Sequence, residues 1–241
     1  MLISRRRTAS RIASGFSVAA IGVLGAPALA AAGSFTAPSG LAAGSFYRLV
    51  FVTSTTITGS STTIGDYNAA ATGAAALNTA LPATTWAAIA STAATDAATN
   101  IACGAGCAAD PLFLVNGSEV AVTLADFFAG TVMNPIAVDE AGTVVANGGT
   151  QGPYVWTGSN ADGTGATGAA LGTTDPVTGN PYGTGNGLTT GFTTSLSTSL
   201  LPLYAISAPI EVSNAPEPAS FPLLLAGTVL LGTFRRRRPS A

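Results

Sequence analysis

Apolar residues fall along this chain in two patterns. At each end they form one long run, Ile12 to Ala26 near the start and Ala219 to Phe234 near the finish. Between the ends the apolar runs are short and are broken by Gly, Asn and Pro. Phe46-Tyr47-Arg48-Leu49-Val50-Phe51-Val52-Thr53-Ser54 is rich in aromatic and β-branched residues and predicts a buried strand. Asp66 is placed to cap a helix running to about Leu81, where Pro82 stops it. Thr84 or Thr85 would cap a second helix, with Trp86, Ile89 and Ala93 on one face at i, i+3 and i+7. From Pro111 onward the expected strands are Leu112–Val115, Glu119–Leu124, Thr143–Ala146 and Tyr154–Thr157. A long Gly/Thr/Asn loop is expected from Gly158 to Gly191, then a closing strand at Leu201–Ser207. One strand, two helices, loop-rich strands and a return strand make an α+β domain.

Composition narrows the chemistry. Only 8% of residues are charged, and Lys and His are both absent. Arg5, Arg6, Arg7 and Arg11 sit at one end and Arg235, Arg236, Arg237 and Arg238 at the other, leaving Arg48 as the one base between them. All of the acids except Glu217 lie in the middle, from Asp66 to Glu211. The middle is therefore acidic and would repel a phosphate backbone, so no nucleic-acid partner is expected. Without His, neither a Ser-His-Asp nor a Cys-His arrangement can be built, and without Lys there is no Ser-Lys dyad. Asp139 and Glu140 are neighbours whose side chains should diverge, so they read as a solvated acidic turn; a carboxylate hydrolase is the least favoured reading. Gly163-x-Gly165-x-x-Gly168 lies in a polar loop with no strand before it, which removes the nucleotide-binding reading. The middle is expected not to be an enzyme.

Two further groups are candidates for local chemistry. Asn160, Asp162 and neighbouring carbonyls are oxygen ligands of the kind Ca²⁺ takes, with Trp156 packed beneath, although Asn-x-Asp-Gly is equally an ordinary turn. Cys103 and Cys107, in Cys-Gly-Ala-Gly-Cys, suit a small local disulfide in an oxidising compartment. Trp86 is expected in the core, as are Trp156 and Tyr154, for which a partner-facing aromatic patch is the alternative.

The two ends read as targeting segments. The basic start, the apolar run and Pro27-Ala28-Leu29-Ala30-Ala31-Ala32 make a secretory signal peptide over residues 1–32, with cleavage after Ala30 or Ala32. Residues 33–45 follow as a Ser/Ala/Gly spacer. The tail, residues 213–241, carries Pro216-Glu217-Pro218, an apolar run at about 219–234 expected to form a transmembrane helix, and then Arg235 to Arg238. That run is short for a span, which usually takes about 20 residues. The four Arg would hold the end in the cytoplasm, leaving Glu217 just outside the bilayer on a stretch that two prolines keep non-helical.

This three-part order resembles the PEP-CTERM sorting signal of Gram-negative bacteria. The resemblance implies a precursor held in the inner membrane, a processing peptidase of the exosortase type acting at the Pro-Glu-Pro, and release to the cell surface or extracellular matrix. The middle, residues 46–212, resembles an uncharacterised bacterial domain with a C-type-lectin-like, endostatin-like fold. The blocks that carry this include Val50-Phe51-Val52-Thr53-Ser54-Thr55, Trp86-Ala87-Ala88-Ile89-Ala90-Ser91, Pro111-Leu112-Phe113-Leu114-Val115-Asn116-Gly117 and Val155-Trp156-Thr157-Gly158-Ser159-Asn160-Ala161-Asp162-Gly163. The resemblance implies two helices, a loop-rich antiparallel sheet, and Leu203-Tyr204-Ala205-Ile206-Ser207 pairing with the first strand. Ala205 stands where such relatives often have a core cysteine, and the sugar-binding Glu-Pro-Asn and Gln-Pro-Asp loops are missing. The expected role is structural or adhesive, in biofilm or exopolysaccharide, with a carbohydrate- or ligand-binding module as the alternative.

Overall fold

In a computed structural model of the chain, residues 35–101, 109–146, 154–185 and 196–213 are described. In chain order the elements are β1 (Phe46–Val52), β2 (Ile57–Thr58), α1 (Ile64–Ala75), β3 (Trp86–Ala88), α2 (Ala97–Asn100), β4 (Leu112–Leu114), β5 (Glu119–Ala121), α3 (Leu124–Phe128), β6 (Val155–Trp156), β7 (Thr178–Gly179), β8 (Leu200–Leu201), β9 (Tyr204–Ser207) and β10 (Ile210–Glu211).

The first strand is the axis of the fold. Tyr47 through Val52 are all buried, so β1 is covered on both faces, which explains an almost unbroken apolar run where a half-exposed strand would alternate. It is central in the sheet order β3-β9-β1-β4-β5, and β10 also pairs with it. Val50 faces Ile206 in the antiparallel β1–β9 pair, and Leu49 faces Phe113 in the parallel β1–β4 pair. The Phe51 and Trp86 rings meet at 5.1 Å, and α1 packs across β3 and β9. The short pairs β2–β8 and β6–β7 stand apart as small sheets of their own.

The mixed sheet and its helices are those of an α+β domain, and the expected closure of the last long strand on the first is present. The lectin-like resemblance gains no support from the sheet, which is mixed where an antiparallel one was expected. The parallel β1–β4 pair arises because α1, β3 and α2 lie between these strands, ample chain for a crossover.

Several local expectations are corrected. Trp86 begins a strand, not a helix: Ile89 N donates to Tyr204 O at 2.9 Å, continuing the β3–β9 ladder. Three apolar positions at helical spacing carried too little periodicity to withstand that pairing. The outer edge of β3 is sealed by two amides. Ala88 N donates to Asn68 Oδ1 at 2.9 Å, and Asn100 Nδ2 donates to Ala88 O at 2.8 Å. Asn68 and Asn100 also bond one another, so an otherwise open strand edge is closed by helical side chains.

The first helix starts at Thr63 as N-cap and ends at Ala75, short of Leu81. Asp66 is in its first turn, where its carboxylate accepts from Ser61 Oγ at 2.6 Å and suits the helix dipole. Beyond Ala76 the chain turns at Asn78, whose Oδ1 accepts from Ala80 N at 3.0 Å. Leu124 belongs to α3 and not to a strand, because Thr123 Oγ1 accepts from Asp126 N at 2.9 Å and caps a helix there. There are thus three helices among the described residues, two of them short, in place of the two expected. Residues 143–146 contribute a single bridge, Val144 to Val138, in place of a strand. The expected long loop carries β7 and a tightly held Gly158. Gly158 has φ +58°, and a Cβ there would lie 2.5 Å from both Leu171 N and Ser91 O.

Among the described residues no helix is long and apolar enough to cross a membrane. The expected signal peptide, Cys103, Cys107, Pro216, Glu217, Pro218, the segment 219–234 and Arg235 to Arg238 lie outside the described residues.

Tyr204 gives a stability test. It is fully buried in β9, and its hydroxyl has no hydrogen-bond partner among the described residues. Burial pushes its pKa well above the usual phenol value. Tyr204→Phe removes an unsatisfied polar group and should raise stability by about 1 kcal/mol in urea unfolding. A loss of that size would show that the hydroxyl is bonded.

Candidate functional site

The carboxyl end of β1 runs into a polar junction. Val52 N donates to Val138 O at 2.8 Å, which lays residues 138–145 beside the strand end. Thr53 Oγ1 accepts from Leu203 N at 2.9 Å and donates to Thr55 O at 2.7 Å. Ser54 then meets Glu140: its backbone N donates to Oε2 at 2.9 Å, and its Oγ donates to Oε1. Glu140 O in turn accepts from Asn78 Nδ2 at 2.6 Å. One residue therefore ties together the end of β1, the turn after α1 and the 138–145 segment.

Glu140 is only 3% exposed, which corrects its reading as half of a solvated acidic turn. Asp139 does form a turn, its Oδ1 accepting from Ala141 N at 3.0 Å and Thr143 N at 2.8 Å. The two carboxylates diverge as expected: Glu140 goes inward to Ser54, and Asp139 borders a groove. That groove has a volume of about 380 Å³ and is lined by Thr53, Ser54, Asp139, Val144, Tyr154 and Leu201, among others. Its size falls at the lower end of the range for small-ligand sites. Tyr154 is half-buried at its wall, whereas Trp156 is wholly in the core, donating Nε1 to Ile57 O at 2.9 Å.

The Asn160–Asp162 loop is a tight, self-bonded turn. Asn160 N donates to Thr164 O at 2.8 Å, and Gly163 N donates to Asn160 O at 3.1 Å. Asp162 Oδ1 accepts from Thr164 Oγ1 at 2.6 Å and from Thr164 N at 3.0 Å, and these bonds hold its carboxyl below the ordinary range. Asn160 Nδ2 donates to Thr164 Oγ1 and to Gly165 O. Gly163 has φ +80°, and a Cβ there would lie 2.5 Å from the Phe128 ring, so the loop is seated on α3. Asp96 is also held to this loop, its Oδ1 accepting from Gly165 N at 2.7 Å. Among the described residues no group of three or more His, Cys, Asp or Glu is arranged to hold a metal ion.

Arg48, the base isolated by sequence, is 1% exposed. It shares a strand face with Val50 and Val52. Its guanidinium donates to Ile101 O at 2.8 Å, and its Nε lies 3.8 Å from Asp110 Oδ2. Burial lowers the Arg48 pKa while Asp110 opposes the shift; burial raises that of Asp110 while Arg48 opposes it. Desolvation thus outweighs the attraction within this pair. Arg48 also borders a cavity of about 250 Å³ with Trp86, Asn100 and Ser207.

The Ser54–Glu140 tie escaped sequence reasoning because its partners are 86 residues apart and share no spacing motif. Removing it gives a direct test. Glu140→Ala loses two bonds to a buried carboxylate and should destabilise the domain by about 3 kcal/mol, with Glu140→Gln costing roughly half as much. Urea midpoints measure this, and a change under about 0.5 kcal/mol for Glu140→Ala would mean the side chain is solvated.

A family model for the PEP-CTERM protein-sorting motif matches residues 214–238. The comparison with curated proteins returned no match. The match lies in the tail that follows the described domain, and it supports an exosortase-sorted surface or extracellular protein whose precursor is held at the membrane.

Proposed function

We infer that this chain is an exported protein of the cell surface or extracellular matrix, and that its middle domain plays a structural or adhesive part in biofilm or exopolysaccharide. The sorting motif at residues 214–238 carries this reading. The physical logic is one of retention and release. An apolar run followed by four Arg stays in the inner membrane, because moving those charges through hydrocarbon is costly. The Pro-Glu-Pro beside it is the segment on which an exosortase-type peptidase would act. Release of the domain then depends on that cut.

A non-catalytic role for the domain is supported by its side-chain inventory. With no His and no Lys, the common base for a Ser or Cys nucleophile is missing. Ser54 has a carboxylate partner in Glu140, but the same carboxylate also accepts from the Ser54 backbone, as a structural tie would. Deleting residues 216–241 should move the protein from its surface or matrix location into the periplasm or medium, with no tail-processed form. Fractionation and mass spectrometry of both termini measure this, and unchanged location and processing would remove the reading.

The groove beside Tyr154 favours a second reading, a ligand-binding module. It offers one aromatic wall, hydroxyls and the Asp139 carboxylate, and no cation, which suits a neutral hydroxylated ligand such as a saccharide. A glycan array probed with the full domain, with and without calcium, should show binding that Tyr154→Ala weakens about tenfold. No binding at any concentration removes this reading, and binding that needs calcium would return attention to Asn160 and Asp162.

A further inference from the structure

The two ends of the described domain close on each other next to the sorting tail. Gly44 N donates to Val212 O at 2.9 Å, and Val212 N donates to Ser45 O at 2.8 Å. One step further in, Phe46 faces Glu211 and Tyr47 faces Ile210 in antiparallel register. Pro216 follows Val212 by four residues. Extended chain covers about 3.3 Å per residue, so the Pro-Glu-Pro begins within about 13 Å of this paired backbone.

That distance matters to any enzyme that takes its substrate as an extended strand. Such recognition relies on main-chain hydrogen bonds to several residues. A cleft that holds four residues before Pro216 reaches back to Val212. The N–H and C=O of Val212 cannot serve residues 44–45 and an enzyme cleft together.

The same strand is weakly held. Pro209 has no N–H, so the β9 ladder cannot run on into β10. Ile210 and Val212 are half-buried and Glu211 is exposed, whereas Tyr204 through Ser207 of β9 are all buried. Residues 210–212 can therefore leave β1 while β9 stays in place and the core remains closed.

Building on the sorting reading above, we propose that β10 is a latch exchanged between β1 and the processing peptidase. It must detach from β1 before the Pro-Glu-Pro segment is engaged, and tail removal is set by how often it does so. The folded domain thereby restrains its own release from the membrane.

The test locks the latch in the full-length protein, in a host that processes the wild type. Phe46→Cys with Glu211→Cys joins two exposed, directly opposed positions. In a pulse-chase the oxidised form should lose its tail about tenfold more slowly than wild type, because cleavage follows the open population. Reduction should restore the rate. A flexible insert of about ten Gly/Ser residues after Ser213 should restore it even in the oxidised form, since the cleft then clears the latch. Tail loss at the wild-type rate from the oxidised form without the insert overturns the latch and leaves the sorting reading standing. Equal slowing in either single-cysteine variant also overturns it, by tracing the effect to stray pairing. Retention of the tail by the wild type overturns the sorting reading itself.

Discussion

The fold hangs on the burial of one strand from both sides. With Tyr47 to Val52 enclosed, β1 has no solvent face on which to alternate, and every neighbour must be brought to it. β9 returns from the far end of the chain to pair with it, β4 comes over a long crossover, and β10 closes its first residues. The small residues of the chain make this packing close. Ala88 and Ala205 lie opposite each other in the β3–β9 pair, and Ala205 also faces Phe51. Bulky side chains at the two alanines would compete with the Phe51–Trp86 contact for the same space.

A chain with so few charges has to hold its loops by other means, and it uses single polar side chains bonded to backbone. Glu140 gathers the end of β1 and the turn after α1. Asn68 and Asn100 close the β3 edge. Ser91 Oγ accepts from Ala97 N at 2.8 Å and lies 2.8 Å from Ser159 Oγ, joining α2 to the 159–165 turn. Arg48 reaches Ile101 O from within the sheet. Most of these ties join segments well apart in sequence, and each includes a bond that satisfies a backbone N–H or C=O.

These features connect to export through the position of the chain ends. The strand that opens the domain and the strand that closes it are hydrogen-bonded neighbours, so the chain leaves the described domain from the edge where its first strand begins. A domain closed in this way can be tethered through its last residues without strain on its core. The same closure puts the sorting motif within a few residues of folded backbone.

Sequence alone settled the features that are local and one-dimensional. The Pro-Glu-Pro, apolar run and Arg block are read in order along the chain, and their recognition needs no partner from elsewhere. The β1 strand, the β4 strand and the return strand around Tyr204 were also legible, because short apolar runs that contain aromatic or β-branched residues favour strand. Tertiary structure decided what depended on distant partners. Trp86 and Ala88 became strand because β9 was there to pair with, and three apolar positions at helical spacing had no comparable partner. Glu140 became an internal tie because Ser54 and Asn78 converge on it, and nothing in its neighbourhood along the chain distinguishes it from a turn-forming acid such as Asp139. The parallel β1–β4 pairing and the opposition of Phe46 to Glu211 are set by three-dimensional closure, and strand patterns carry no record of which strand lies beside which.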